Sequence, residues 1–255
     1  MDTPPSYESS TSEKVTLIRT NNDPPPLYSS LDKSDFEDVG YRKSFIIKVY
    51  TILMIQLGVT SLVCGLMIKD ESLHNWVNDH INQLYWPLVI ILFVMIIMIG
   101  CIEPLRKKAP WNYLALGLVT LILSFITGFV TAQYNTNIVL IAALFTIGVT
   151  LALTIFAWAT KYDFTGWHPY MLVLLVVLIL FGIIGGIFHN QIVNIVYSAL
   201  SALIFAIYIV IDTQTIIGGN HRYQLAPDEY VMGALALYLD ILNFFLSMLQ
   251  LLARD

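Results

Sequence analysis

Charged residues are scarce in this chain: Lys, Arg, Asp and Glu make up 12% of the 255 residues, whereas apolar residues make up 57%. The mean hydropathy is +0.71, well outside the range of soluble globular domains. Cysteine is almost absent, and both copies, Cys64 and Cys101, lie in apolar runs, which argues against a disulfide framework or a cysteine metal site. The composition predicts a polytopic membrane protein with no nucleic-acid partner.

Long apolar runs, by contrast, are abundant. A membrane-spanning helix needs about 20 apolar residues to cross about 30 Å of hydrocarbon. Seven such runs occur, at residues 45–68, 85–102, 112–132, 137–158, 170–188, 192–217 and 230–252. Because the connections between them are short, we expect an all-α integral membrane protein in which residues 41–255 form one compact seven-helix bundle.

The distribution of positive charge predicts how the bundle is oriented. Eleven of the 13 Lys and Arg residues lie in the N-terminal tail and in the second, fourth and sixth connections, whereas the opposite side holds only Lys69 and Arg254. Positive charge marks the cytosolic side, so we expect a cytosolic N-terminus. Seven spans place the C-terminus on the other side, and a last segment that dips in and returns would place it in the cytosol.

The N-terminal tail, residues 1–40, differs in composition from the rest of the chain. It is rich in Ser, Thr, Pro, Asp and Glu, and we expect it to be disordered, because it cannot bury enough apolar surface to offset its chain entropy. Two segments, "PPSY" and "PPLY", fit the Pro-Pro-x-Tyr pattern that WW domains bind as a polyproline II helix. The pattern residues are Pro4, Pro5, Tyr7, Pro25, Pro26 and Tyr28. Two copies permit bivalent binding of WW-domain proteins such as HECT-type ubiquitin ligases.

The same tail carries two segments that resemble sorting signals. "EKVTLI" resembles an acidic dileucine signal, with Glu13, Leu17 and Ile18 as its pattern residues. "YSSL", with Tyr28 and Leu31, resembles a tyrosine-based signal. These patterns favour Golgi or endolysosomal membranes.

Acidic residues inside the apolar runs are rarer still, and two of them stand out. Asp212 in "IYIVIDTQT" and Asp240 in "LYLDILN" lie roughly 8 and 15 Å from the predicted cytosolic ends of their runs, at 1.5 Å per residue. An ionised Asp at mid-bilayer costs about 2.5 to 3.5 kcal/mol on insertion scales, so such residues face the bundle interior or a water path. Neither run contains Lys or Arg. We expect the two carboxyl groups to share a proton and titrate as a coupled pair, which predicts a pH sensor.

Polar residues near the two acids recur at helical spacing. They form one stripe on each of the last two runs: Ser198, Ser201, Tyr208, Asp212 and Thr215 on the sixth, and Asp240, Asn243, Ser247 and Gln250 on the seventh. Each stripe lies on one face of its helix, so the two are expected to face each other. Hydrogen bonding between helices explains Ser, Asn and Gln but not two carboxylates.

Five segments resemble the transmembrane Bax inhibitor motif family, specifically its Lifeguard branch. They are "FIIKVYTILMIQL" (45–57), "RKKAPWN" (106–112), "TKYDFTGW" (160–167), "DTQTIIGGNHRYQLAPDEYVMGAL" (212–235) and "LYLDILNFFLSMLQLL" (237–252). The resemblance implies a seven-helix fold with a central last helix, a pH-sensitive calcium leak across an intracellular membrane, and suppression of cell death.

Further expectations follow from the same resemblance. The aspartate pair of the family corresponds to Asp212 and Asp240, and Arg106 is the candidate for a basic partner of that pair. The implied protein partners are Bcl-2-family or death-receptor pathway proteins. The implied membranes are those of the Golgi, the endoplasmic reticulum or endolysosomes, with the plasma membrane as an alternative.

Three functional classes remain open at this point. The first is a calcium leak in which Asp212 and Asp240 form a transient Ca²⁺ site, with no other cofactor. The second is an intramembrane aspartyl protease, which also uses two transmembrane Asp residues, although "LYLD" lacks the Gly-x-Gly-Asp pattern of those enzymes. The third is a non-conducting membrane scaffold whose tail recruits WW-domain proteins.

Overall fold

The computed structural model describes residues 33–188, 191–219 and 221–253 of the chain. Eight α-helices lie within these ranges: α1 (Lys33–Lys69), α2 (Glu71–Cys101), α3 (Glu103–Lys107), α4 (Trp111–Thr131), α5 (Thr136–Ala159), α6 (His168–Phe188), α7 (Gln191–Ile217) and α8 (Tyr230–Leu252). A 3-10 turn, Thr165–Trp167, precedes α6. Residues from Gly40 onward form one unit by their mutual contacts, and the following description concerns that unit.

Seven of the helices in the described ranges are long and apolar enough to cross a membrane, and only the five-residue α3 is not. The predicted all-α fold with seven spans is therefore confirmed. The second span differs in its start: α2 begins at Glu71, whereas its apolar run begins at residue 85. The Asp70 side chain accepts a hydrogen bond from the Leu73 N–H at 3.0 Å, and this N-cap starts the helix well before the apolar stretch.

The end of α2 is determined by a proline. Pro104 lies in the first turn of α3 and has no N–H to donate to the carbonyl of Gly100, four residues earlier. The Arg106 guanidinium donates to that carbonyl instead, at 3.2 Å. The chain therefore breaks after Cys101 and turns at the membrane edge before α4.

The spans alternate in direction, so the connections fall at two ends of the bundle. One end, here called the Arg42 end, holds the part of α1 around Arg42, α3, the α5–α6 loop and the α7–α8 loop. The turns from α1 to α2, from α4 to α5 and from α6 to α7 lie at the opposite end. Helices α1, α4 and α8 consequently run parallel to one another, from the Arg42 end outward.

Helices α4, α7 and α8 form the interior of the bundle. Within its most apolar window, α4 is 67% buried and α8 50%, whereas α2 is only 6% buried. Gly233 allows α8 to approach its neighbours, because a Cβ there would meet Ile216, Leu225 and Val49 at 3.2 to 3.4 Å. Large apolar side chains exposed on the outer helices, such as Phe93 on α2, face outward. In a bilayer these side chains contact lipid rather than water.

Arg42 fastens the start of α1 to the end of α7. Its guanidinium donates three hydrogen bonds to backbone carbonyls, those of Thr215 at 3.0 Å, Ile217 at 2.9 Å and Leu225 at 2.7 Å. The carbonyls at a helix C-terminus lack partners within the helix and carry partial negative charge, so a cation satisfies them well. Gly218 follows with φ +68°, and a Cβ at that position would collide with the guanidinium.

The substitution Arg42→Lys is expected to destabilise the protein. A lysine ammonium is a point donor that cannot span the three carbonyls as a planar guanidinium does, and hydrogen bonds to charged groups each contribute about 1.5 to 3 kcal/mol. We expect a loss of about that size in the free energy of unfolding, measured by chemical unfolding in non-ionic detergent. The exposed neighbour Lys43 provides the control variant Lys43→Ala. Equal stability of both variants would contradict the role given to Arg42.

Candidate functional site

The predicted polar stripes of α7 and α8 face each other in the structure. Near the opposite end, Ser198 Oγ lies 2.8 Å from Gln250 Oε1. Further along, Ser247 Oγ lies 2.7 Å from Ser201 Oγ. Beyond these pairs, the side chains of Asp212 and Asp240 come within hydrogen-bonding reach of each other. We call this row of paired side chains, together with Tyr208, the aspartate seam.

Two residues of the predicted stripes, Thr215 and Asn243, form hydrogen bonds within their own helices. Thr215 Oγ1 donates to the carbonyl of Ile211, and Asn243 Nδ2 donates to the carbonyl of Leu239. The backbone of Asn243 nevertheless borders the seam, because Ser247 Oγ lies 2.7 Å from the backbone carbonyl oxygen of Asn243. The structure thus brings the two acids together with Tyr208. Ser247 lies further along the seam, beside Ser201, and the Thr215 hydroxyl bonds back to α7.

Asp212 and Asp240 are buried, with 9% and 6% of their surface exposed. Within the described part of the chain, neither acid takes part in a salt bridge, and Oδ2 of Asp240 has no hydrogen-bond partner. Two carboxylate groups hydrogen-bond to each other only when a proton lies between them, and both cannot ionise cheaply in a low dielectric. The geometry therefore fits one proton shared by the pair.

Tyr208 and His168 lie close to the acids. Tyr208 is buried on α7 and interacts electrostatically with both carboxyl groups. His168, the first residue of α6, is exposed and stands edge-on to the Tyr208 ring, with centroids 6.3 Å apart and an angle of 89° between the planes. It also interacts electrostatically with Asp212. His168 was not predicted as a neighbour of the site, although its place at the start of a span indicates a depth similar to that of the last turns of α7.

Arg106 is not the basic partner of the aspartates. Its Nε lies 3.3 Å from Glu229 Oε1, just before α8, and the adjacent Lys107 lies 3.1 Å from Asp228 and 3.6 Å from Glu229. The physical reason is position: α3 is a short helix at the Arg42 end, where it meets the α7–α8 loop rather than the buried seam. These ion pairs join α3 to the start of α8.

The α5–α6 and α7–α8 loops are joined beside the end of α7. Gln214, fully buried, donates to the carbonyl of Tyr162 at 2.9 Å and accepts from the N–H of Phe164 at 2.8 Å. Asp163 accepts from the N–H of Arg222 at 2.8 Å and contacts His221 Nδ1 at 3.2 Å. Gln214 lies two residues after Asp212, so these contacts position the helix turn that carries the acid.

Several predicted residues lie outside the described residues, and their sites remain predictions. These are the two Pro-Pro-x-Tyr segments at 4–7 and 25–28 and the sorting segments at 13–18 and 28–31. For metal binding, the described ranges contain no cluster of three or more His, Cys, Asp or Glu side chains. Among those residues, the buried acids are Asp212 and Asp240.

Comparison with known proteins agrees with the resemblance noted in the sequence. Residues 42–255 match the family described as Inhibitor of apoptosis-promoting Bax1. Protein lifeguard 3 of Mus musculus is 32% identical over 231 residues, which cover 89% of this chain and 74% of the mouse protein. Protein lifeguard 3 of Homo sapiens is 32% identical over 227 residues, 88% and 72% of the two chains. Protein LIFEGUARD 2 of Arabidopsis thaliana is 35% identical over 231 residues, 89% and 92% of the two chains.

The loop contacts of Asp163 are expected to make stability depend on pH in acid. Burial raises the pKa of this carboxyl group, but hydrogen bonds from Thr165, Arg222 and His221 outweigh burial and lower the pKa to about 2. A carboxyl group with a lowered folded-state pKa stabilises the protein above its unfolded pKa of about 3.9, and that contribution disappears as the pH falls towards the folded value.

The measurement is the unfolding midpoint of wild type and Asp163→Asn in non-ionic detergent between about pH 5 and pH 2. We expect wild type to be more stable at pH 5 and the difference to shrink towards pH 2. Asp79→Asn, at an exposed side chain on α2, is the control. A difference that stays constant across the range would contradict the assigned contacts.

Proposed function

The chain belongs to the Bax inhibitor family, with Lifeguard proteins among its relatives, and from that premise we propose that it is a pH-sensitive calcium leak channel. In this proposal it resides in an intracellular membrane, lowers the calcium content of the store and so suppresses apoptosis. The N-terminus faces the cytosol, which places the Arg42 end on the cytosolic side. The single observation that carries the proposal is the buried pair Asp212 and Asp240, which has no Lys or Arg partner in the part of the chain that the structure describes.

The chemistry of the aspartate seam supports calcium as the ion. Ca²⁺ binds oxygen ligands such as carboxylates, amide carbonyls and hydroxyl groups, and each of these types occurs along the seam between α7 and α8. Two carboxylates are too few for a tight site, and weak binding suits an ion that must enter and leave. The calcium site is therefore transient and centred on Asp212 and Asp240.

The shared proton supplies a physical reason for pH sensitivity. With the proton present, a hydrogen bond joins Asp212 on α7 to Asp240 on α8. Once the proton is lost, two like charges face each other in a low-dielectric interior, and their repulsion acts between the two helices. The two protonation states thus differ in the force across the seam, which couples the titration of the pair to helix packing.

A second role concerns the N-terminal tail. Its two Pro-Pro-x-Tyr segments recruit WW-domain proteins, with HECT-type ubiquitin ligases as the fitting class, and the sorting segments direct the protein to Golgi or endolysosomal membranes. Recruitment is compatible with ion conduction, and as the sole activity it would make the protein a scaffold. Bcl-2-family or death-receptor pathway proteins are the proposed contacts in apoptosis.

The calcium proposal predicts that Asp212→Asn and Asp240→Asn each abolish the pH dependence of Ca²⁺ flux. Either change removes one of the two carboxyl groups, so the shared titration is lost while side-chain volume is kept. The measurement is dye-reported Ca²⁺ flux into liposomes containing wild type, either variant or the control Asp79→Asn, at an exposed residue of α2, across a pH series.

Wild type and the control are expected to share one pH profile that both seam variants lose. If folded seam variants kept the wild-type flux and pH profile, the gating role would be wrong. Cleavage of a helical substrate that either variant abolishes would instead favour an intramembrane aspartyl protease.

For the tail, the double variant Tyr7→Ala with Tyr28→Ala is expected to abolish binding to a WW domain. The tyrosine is an anchor of the Pro-Pro-x-Tyr ligand, and the loss of one copy removes bivalent binding while the loss of both removes all contact. Binding is measured with an isolated WW domain immobilised on a sensor surface. Thr16→Ala, outside both segments, is the control. Unchanged binding of the double variant would exclude the tail as the ligand.

A further inference from the structure

A second set of buried polar side chains lies where α1, α4 and α8 meet. Its members are Gln56 and Thr60 on α1, Thr120, Ser124 and Thr127 on α4, and Tyr238 on α8, each with at most 5% of its surface exposed. We call this set the hydroxyl seam. Asp240 is two residues beyond Tyr238, on a different face of α8, so the hydroxyl seam and the aspartate seam are separated by the central helix.

The parallel course of α1 and α4 explains how the seam forms. Residues four apart lie on one face of a helix, so Gln56 and Thr60 meet Thr120 and Ser124 as successive pairs. Gln56 Nε2 donates to Thr120 Oγ1 at 3.0 Å, and Thr60 Oγ1 lies 3.0 Å from Ser124 Oγ. Tyr238 joins the third helix, α8, to this set, because its Oη lies 2.6 Å from Thr60 Oγ1.

A count of hydroxyl protons shows that the seam contains more acceptors than donors. Thr60, Thr120 and Ser124 each donate to a backbone carbonyl of their own helix, at 2.9, 2.7 and 2.7 Å. A hydroxyl group has a single proton, so these three have none left for contacts across the seam. The oxygens of Thr60 and Ser124 that face each other are therefore both acceptors, unless one of them gives up its backbone bond.

Two atoms of the seam have no hydrogen-bond partner in the described ranges, namely Gln56 Oε1 and Thr127 Oγ1. Turning the Gln56 amide over would place Nε2 in the same position, so one polar atom stays without a partner in either orientation. An unsatisfied buried polar group destabilises the folded protein. A seam that served only to hold the helices together would be expected to saturate its polar atoms.

We propose that the hydroxyl seam binds a chain of water molecules that enters between α1 and α4 at the opposite end and reaches Tyr238. Water donates two protons, which suits a wall of acceptors, and buried water typically bonds to otherwise unsatisfied polar groups. The seam carries no formal charge, which makes it a poor site for Ca²⁺, a cation that takes carboxylate ligands.

The entrance follows from the course of α4. Thr127 is one turn, about 6 Å, before the last residue of the helix, Thr131. Thr131 is also buried and interacts with Cys64 of α1, so the polar contact between α1 and α4 continues to the last turn of α4. The flexible side chain of Met67, 1% exposed, packs on Gly128 there and covers the end of the seam. Towards the Arg42 end the seam stops, because α1 and α8 meet there through apolar contacts. Val49 of α1 lies so close to Gly233 of α8 that a Cβ added to this glycine would be 3.4 Å from the Val49 side chain.

Chemical accessibility tests this proposal without reference to ion flux, so its outcome is separate from that of the calcium proposal. In the background Cys64→Ala with Cys101→Ala, single variants Thr127→Cys and Ser124→Cys place a thiol in the seam. Phe125→Cys, on the same helix but 42% exposed towards lipid, is the matched control. A charged, membrane-impermeant methanethiosulfonate reagent is added to either side of liposomes containing the full-length protein.

Thr127→Cys is expected to react from the opposite end at least about tenfold faster than Phe125→Cys, since only a hydrated thiol ionises and meets the reagent. Reaction of Thr127→Cys no faster than the control would overturn the water chain, and reaction only from the Arg42 end would overturn the entrance. As a second measurement, Thr127→Val keeps the side-chain shape but removes the oxygen. A lowered unfolding midpoint supports a hydrated oxygen, whereas an unchanged or raised midpoint contradicts it.

Discussion

Two carboxyl groups buried between α7 and α8, with no Lys or Arg partner among the described residues, are the constraint on which the rest of the structure depends. An ionised pair in a low-dielectric interior repels, whereas a pair that shares a proton is held by a hydrogen bond. The surrounding structure positions both helices for this contact. Arg42 holds the end of α7, Gln214 ties the next turn of α7 to the α5–α6 loop, and Glu229 anchors the start of α8 to α3. Each of these contacts is at the Arg42 end, the end of the bundle that is nearer to Asp212 than to Asp240.

The seven spans and the facing of α7 against α8 could be predicted from sequence because both depend on local patterns. Apolar length alone identifies a span, and spacing alone places Asp212 and Asp240 on polar faces. Two adjacent antiparallel helices joined by a short loop bury two such faces most directly by packing them against each other. The family membership, too, followed from segments that can be read directly, such as 212–235.

Contacts between distant parts of the chain were beyond the reach of those patterns. In the sequence, Arg42 is one of several cationic residues that precede the first span. Only the fold shows that it contacts the end of α7, more than 170 residues later. The pairing of Gln56 with Thr120 depends on α1 and α4 lying side by side, which no spacing within either helix reveals. Arg106 was assigned to the acids by resemblance, whereas its position at the membrane edge brings it to Glu229. The early start of α2 came from the Asp70 cap, a signal that a search for apolar runs does not contain.

The proposed activity therefore depends on one property, the joint titration of Asp212 and Asp240. Infrared absorption of protonated carboxyl groups, recorded over a pH series on protein in lipid, measures that property directly. The account predicts that removing either acid, by Asp212→Asn or Asp240→Asn, moves the pH range over which the remaining seam carboxyl group loses its absorption band. A band that titrates over the same range in wild type and in both variants would show that the two groups act independently, and would contradict the account.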